Sequence, residues 1–253
     1  MRTLLLFSVA LFCGAQFSFA QFRFSSETGV AFNQYNVVRA PNDVSLAKKT
    51  NPTLFSFAED FEVGGMTNFV RLEMAYTMND KHVFQLTAAP LSVEYSGLRD
   101  LPIRFEGEVF EPSMNTFGSY KFNTYRFSYR YALIRKEKTR LEIGLTALLR
   151  DAKIELTQGN TTASNTDLGA VPLISFWLEK DLSPRLTLLL TGDALVGPRG
   201  RAEDVFAGVE FDVIKDRLFG KIGYRILEGG ADVEQVYNFA LFHFFDVGIV
   251  SKF

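Results

Sequence analysis

Cysteine occurs once, at Cys13, inside an N-terminal stretch that reads as a leader. Disulfides and thiolate-ligated metals are therefore excluded from the rest of the chain. Histidine occurs only at His82 and His243, and no acidic loop has the spacing of a calcium-binding hand, so no metal or cofactor is expected. A surplus of one charge is missing too: 27 basic residues stand against 29 acidic ones. A nucleic-acid partner, which asks for a basic excess, is thereby disfavoured. After residue 20 no stretch approaches the roughly 20 apolar residues of a spanning helix. What is abundant is aromatic: 26 Phe and 9 Tyr.

The leader has Arg2 as its charged start, a short apolar run from Leu4 to Phe12, and small residues at Ser18 and Ala20. That pattern predicts an export signal cleaved after Ala20, with 21–253 as one domain. A lipid attachment at Cys13 is disfavoured by the bulky Phe12 before it. An exported, aromatic-rich chain without a spanning helix is either a secreted β-protein or a membrane barrel, and periodicity has to decide.

Strand-length segments alternate strictly, with charges on one parity only. Tyr125, Phe127, Tyr129, Tyr131 and Leu133 alternate with Thr124, Arg126, Ser128 and Arg130. Leu141, Ile143, Leu145, Ala147 and Leu149 alternate with Glu142, Gly144, Thr146 and Arg150, and beyond Leu149 the apolar parity turns charged at Asp151, Lys153 and Glu155. Segments 185–196, 203–214 and 217–227 repeat the pattern, as does Val70 to Tyr76 against Arg71 and Glu73. A transmembrane β-strand needs such a dyad over about 9–11 residues. The last strand, 236–253, ends in Phe253 with Ile249, Val247, Phe245 and Leu241 on its parity.

Leader, dyad repeats and terminal Phe together resemble bacterial outer-membrane β-barrel proteins, although Ser251 stands where an apolar residue is usual. The resemblance implies a Gram-negative outer membrane as location, lipid and lipopolysaccharide as surroundings, and recognition of the last strand by the barrel assembly machinery. Short links at 78–81, 135–139, 181–184 and 215–216 alternate with longer ones at 37–66, 96–119, 157–166, 197–203 and 228–235. Short turns belong to the periplasmic side and long loops to the outside. The expected fold is an all-β, antiparallel up-and-down barrel of about ten strands, with the piece 102–110 left in a loop; eight and twelve are the alternatives.

The inward parity then collects Arg23, Arg71, Arg126, Arg130, Arg150, Lys221 and Arg225 against Glu27, Glu73, Glu142, Asp193, Glu210 and Asp212. Arg126 and Arg130 lie one hairpin from Glu142, and Glu210 and Asp212 one hairpin from Lys221 and Arg225. Buried charges persist when paired, so this inventory fits an ion-paired plug; charged rows of opposite sign also line selective pores. Three functions compete: a structural barrel meeting an extracellular ligand at its loops, a narrow channel for ions or small solutes, and a lipid-modifying enzyme. The enzyme has the least behind it. His82 reads as a turn residue, His243 faces lipid by parity unless a bulge turns it toward Asp246, and neither has a serine at a dyad spacing. Gly197 to Arg201 could touch lipopolysaccharide phosphates, and 228–234 reads as a turn.

Overall fold

Alternation decides which side of each strand meets the barrel interior. The computed structural model describes residues 20–47, 50–63, 67–215 and 217–253. The expected leader, up to residue 19, lies outside the described residues. Ten strands close an antiparallel barrel: β1 (Ala20–Arg39), β2 (Thr67–Met78), β3 (His82–Ala89), β4 (Thr116–Lys136), β5 (Thr139–Gln158), β6 (Thr161–Ser183), β7 (Leu186–Gly197), β8 (Gly200–Ile214), β9 (Leu218–Val233) and β10 (Val236–Lys252). After Pro90 the course of β3 is resumed by Ser92–Gly97, which also pairs with β4. The ring is completed by β10 on β1, from Arg23↔Lys252 to Arg39↔Tyr237. Terminal Phe253 exchanges backbone hydrogen bonds with Phe22, 3.1 and 2.9 Å long. The strand number is the ten expected, and the small hairpin Ile103–Phe105 with Glu108–Phe110 stays outside the wall, in a loop.

The barrel is inverted relative to a soluble protein. Leu145 is 65% exposed and Ile249 57%, whereas Glu27 and Glu210 on the opposite parity are 1% exposed. Only a hydrocarbon surround makes an apolar exterior over a charged interior favourable. Aromatic pairs sit near both ends of this apolar band: Phe22 with Tyr76 and Phe84 with Tyr129 at the short-turn end, Phe32 with Phe245 at the other.

Three expected loops prove to be mostly strand. At 157–166, β5 runs on to Gln158 and β6 resumes at Thr161, leaving Gly159-Asn160 as the turn. Likewise 197–203 reduces to a turn at 198–199 and 228–235 to one at 234–235. Gly159 supplies the left-handed residue, φ +58°. The polar, β-branched Thr161, Thr162 and Thr166 suit a strand wetted on both faces. So β4, β5 and β6, with 21, 20 and 23 residues, exceed a membrane span of about 9–11 residues and stand out from it. By contrast β7 has 12 residues and barely crosses.

The two long outer loops fold back over the lumen. Phe55, Phe57, Phe61, Phe105 and Phe110 pack with Tyr95 and Tyr120 into one buried cluster. A four-residue helix, Phe57–Asp60, is capped by the Ser56 hydroxyl, which accepts from the Glu59 amide. This turn presents Phe57 to Tyr95, ring centroids 4.7 Å apart. Gly118 on β4 leaves room for that ring: a Cβ there would lie 2.3 Å from Phe57.

Candidate functional site: a charge network and an outer groove

Inside the membrane-spanning part the inward charges form a central network with two smaller ion-paired groups beside it, Arg130 with Glu142 and Arg23 and Lys252 with Glu210. Arg225 is at its centre, donating to Glu27 at 2.7 Å, Asp204 at 2.8 Å and Asp246 at 3.0 Å. Lys221 also donates to Glu27, at 2.5 Å. Arg71 links Glu73 at 2.7 Å with Asp204 at 3.1 Å. Arg126 reaches across the lumen from β4 to Asp193 on β7 at 2.8 Å and Asp204 on β8 at 2.6 Å. Arg130 donates to Glu142 at 2.9 Å and to the Gln85 amide oxygen at 2.7 Å. Arg23 and Lys252 share Glu210 near the short-turn end.

Two rings complete the filling. Arg23 and Arg130 lie over Trp177, 4.6 and 5.1 Å from its centroid, and Lys221 and Arg225 over Phe206, at 4.1 and 5.1 Å. A desolvated cation over an aromatic face gains about 2 kcal/mol, so these rings carry some of the cost of burying so many guanidinium groups. Trp177, Leu189 and Phe206 form their own small apolar cluster.

Most of the inward residues named from sequence are brought together here, with two exceptions. Arg150 is paired with Asp167 higher up, outside the network. Asp212 is half-buried near the inner rim, with one carboxylate oxygen unpartnered. The expected hairpin pairing of Glu210 and Asp212 with Lys221 and Arg225 is also not made. Glu210 and Lys221 are register partners, yet each bonds elsewhere. In a narrow barrel curvature converges the inward side chains of non-adjacent strands, so long side chains reach across instead of sideways. Asp204 and Asp246 were missing from the sequence inventory although both sit on inward parity; Trp177, Phe206 and Gln85 gave no signal of their part.

Neither histidine enters the lumen. His82 Nδ1 lies 2.9 Å from the Tyr129 hydroxyl, and outward-facing His243 contacts the Tyr224 hydroxyl and the Gln34 amide oxygen, both at 2.5 Å. The β1 irregularity at Asn33/Tyr35 does not turn His243 inward, and Asp246 is held by Arg225.

Above the network an outer groove runs between the tall wall β4–β5–β6 and the outer ends of β8, β9 and β10. A cavity of about 40 Å³ between Tyr120, Ile154 and Asn165 on one side and Gly230 and Asn238 on the other adjoins one of about 30 Å³ reaching down to Arg126 and Asp204. Phe122, Arg150, Gly229 and Gly230 line both. Such volumes hold a few waters. Among the flanking groups Arg150 pairs with Asp167, Arg201 with Glu228, and Tyr35 with Glu228.

At the closed side of the groove, burial pushes the Tyr95 phenol up to about 12, and burial raises Tyr120 as well. A raised folded-state value means that the folded outer end keeps these protons while an opened one releases them near pH 10. Stability of the aromatic cluster is therefore fully present below pH 10 and is lost as pH rises toward about 12. Amide exchange at residues 55–61 is expected to accelerate over that interval, and less so in Tyr95→Phe. Equal acceleration in both proteins would contradict the assignment to Tyr95.

No protein-family model matches the chain, and no curated protein sequence matches it. Among solved structures it is similar to the outer membrane protease OmpT from Escherichia coli, with a TM-score of 0.58 at 7% identity, covering 92% of this chain and 97% of that one. It also matches Neisserial surface protein A, with a TM-score of 0.36 at 15% identity over 93% and 100% of the two chains. The translocator domain of the autotransporter NalP from Neisseria meningitidis gives 0.43 at 11% identity over 98% and 93%. At these identities the likeness is one of fold: this chain is an outer-membrane-type β-barrel.

Proposed function

We propose that the protein is an integral outer-membrane barrel that does not conduct, and that its activity lies at the outer end, where it meets a ligand outside the cell. The observation behind this reading is the network around Arg225 and Arg126, which crosses the lumen from β4 to β8 and, among the described residues, leaves no row of unpaired charge for an ion to follow. The aromatic cluster of the folded-back loops adds a second closure above it. A channel needs sites weak enough to release what enters, and buried guanidinium groups each shared between two or three carboxylates are the opposite. For an enzyme, both histidines are on the wrong side of the wall.

Arg126→Ala separates the plug from the pore. It removes the partner of Asp193 and Asp204 and opens space in the lumen. The urea midpoint of the refolded barrel, followed by its gel shift against boiled protein, is expected to fall clearly. Planar-bilayer current is expected to stay absent, because the aromatic closure remains. A wild-type current whose ion selectivity changes with Arg126→Ala would establish the channel instead.

A further inference from the structure

Strand β6 is paired with β5 along nearly its whole length, Thr161↔Gln158 to Thr139↔Lys180, but with β7 only from Ile174 to Ser183. Pairing stops where Pro172 removes a donor and where the short β7 turns into β8 after Gly197. Among the described residues, 161–173 thus has no strand on its second side. An antiparallel strand presents alternate N–H and C=O groups on each side, so this stretch offers a row of backbone donors and acceptors to the notch above the β7–β8 hairpin. Proteins normally blunt such an edge with lysine, proline or a covering segment. Residues 161–173 contain no Lys or Arg; Pro172 blunts only the lower end, Asn165 donates to Glu106 of the loop hairpin on the groove side, and the one charge, Asp167, is taken up by Arg150.

The notch opens directly into the outer groove. Phe122, Leu148 and Leu173 form its apolar floor; Arg150 and Arg201 beside it are paired with Asp167 and Glu228, and Glu203 is the one lining carboxylate without an ion pair among the described residues. Two glycines keep it clear without being required by packing: a Cβ on Gly197 would meet nothing within 4 Å, and one on Gly229 nothing nearer than 3.6 Å. On the outside, Thr162, Ser164 and Thr166 are exposed and polar, which places the upper part of this edge in water, while Leu168, 73% exposed on the same parity, begins its apolar lower part.

We propose that the outer edge of β6 captures an extended, uncharged polypeptide segment as an added antiparallel strand, whose groove-facing side chains are small, as volumes of about 40 and 30 Å³ require. Backbone hydrogen bonds supply the affinity in this mode, and the pocket beside the edge the selectivity. The inference rests on the surface-binding reading above and gives its ligand a chemical class.

The test passes a library of random ten-residue peptides over the refolded full chain in detergent and follows the retained pool by amide hydrogen exchange. Alternate amides within 161–171 are expected to slow by roughly tenfold or more, and retention is expected to drop by a similar factor in Gly229→Leu and Gly197→Leu. Both variants should keep the wild-type gel shift; two positions guard against one failing to fold. No retained pool, retention equal in wild type and variants, or protection confined to other segments would overturn the proposal. So would protection of 161–171 by phosphatidylethanolamine micelles without peptide, which would assign the notch to lipid. A conducting barrel would overturn the surface-binding reading itself, whereas a silent barrel that retains no peptide removes only this inference.

Discussion

Arg225→Met is expected to destabilise the barrel by about 3–5 kcal/mol, because it leaves three buried carboxylates without their shared cation. Glu27 would retain Lys221, and Asp204 would retain Arg71 and Arg126, but Asp246 has only Arg225 among the ion pairs of the described residues. Arg225→Lys keeps the charge and loses the fork: a single ammonium cannot reach three carboxylates on β1, β8 and β10 at once. Its midpoint in urea should fall between wild type and the Met variant. Arg201→Met is the control. Its bridge to Glu228 is about 40% exposed on the Arg side, and exposed pairs contribute about 0–1 kcal/mol. Equal midpoints for Arg225→Met and wild type would show that the network is not what holds the barrel interior.

A loss of similar size is expected from Phe57→Ala, but in a different place. Phe57 is fully buried and touches Phe55, Phe61, Tyr95 and Tyr120 at the centre of the outer cluster. Truncating a buried Phe costs about 3–5 kcal/mol through lost burial and the cavity left behind. Among the described residues the folded-back loops are tied to the wall at only a few points: the brief pairings at Val37↔Ser56 and Glu62↔Ser96, the Gln158 side chain on the backbone of Glu111 and Met114, and Asn165 on Glu106. The damage should therefore stay local. Protease sensitivity should rise within 50–63 and 98–115, while the gel shift of the intact barrel persists. Loss of the gel shift at an unchanged rate of loop cleavage would mean that the cluster supports the whole barrel instead.

The membrane-spanning architecture was legible because lipid outside and charge inside make alternation obligatory. Arg126, Arg130 and Glu142 could be placed inward from parity alone, and the strand number followed from short turns alternating with long connections. Legibility ended where the membrane ends. Above it both faces of a strand are wet, the apolar stripe disappears, and Thr161–Thr166 looks like a loop although it is strand, paired with β5 on one side. The same limit hid the free edge of β6, since the absence of a neighbour leaves no mark in composition.

The network was legible as an inventory but not as a set of contacts. Register places Glu210 opposite Lys221, but barrel curvature sends Lys221 to Glu27, two strands away. Asp246 follows Phe245 on the inward parity and needed only counting. The Phe55, Phe57 and Phe61 cluster is different: its spacing changes from i, i+2 to i, i+4 and sustains neither period, because these residues bury against the loop hairpin and the lumen wall rather than along one element.

The most direct test of a closed lumen is the current carried by the refolded, unmodified chain across a planar lipid bilayer after insertion is verified by its heat-dependent gel shift. No discrete steps are expected, with the charges around Arg225 and Arg126 acting as a fixed plug. Reproducible steps whose cation–anion preference shifts when Arg126 or Glu142 is neutralised would contradict that, and would make the same charges the lining of a pore.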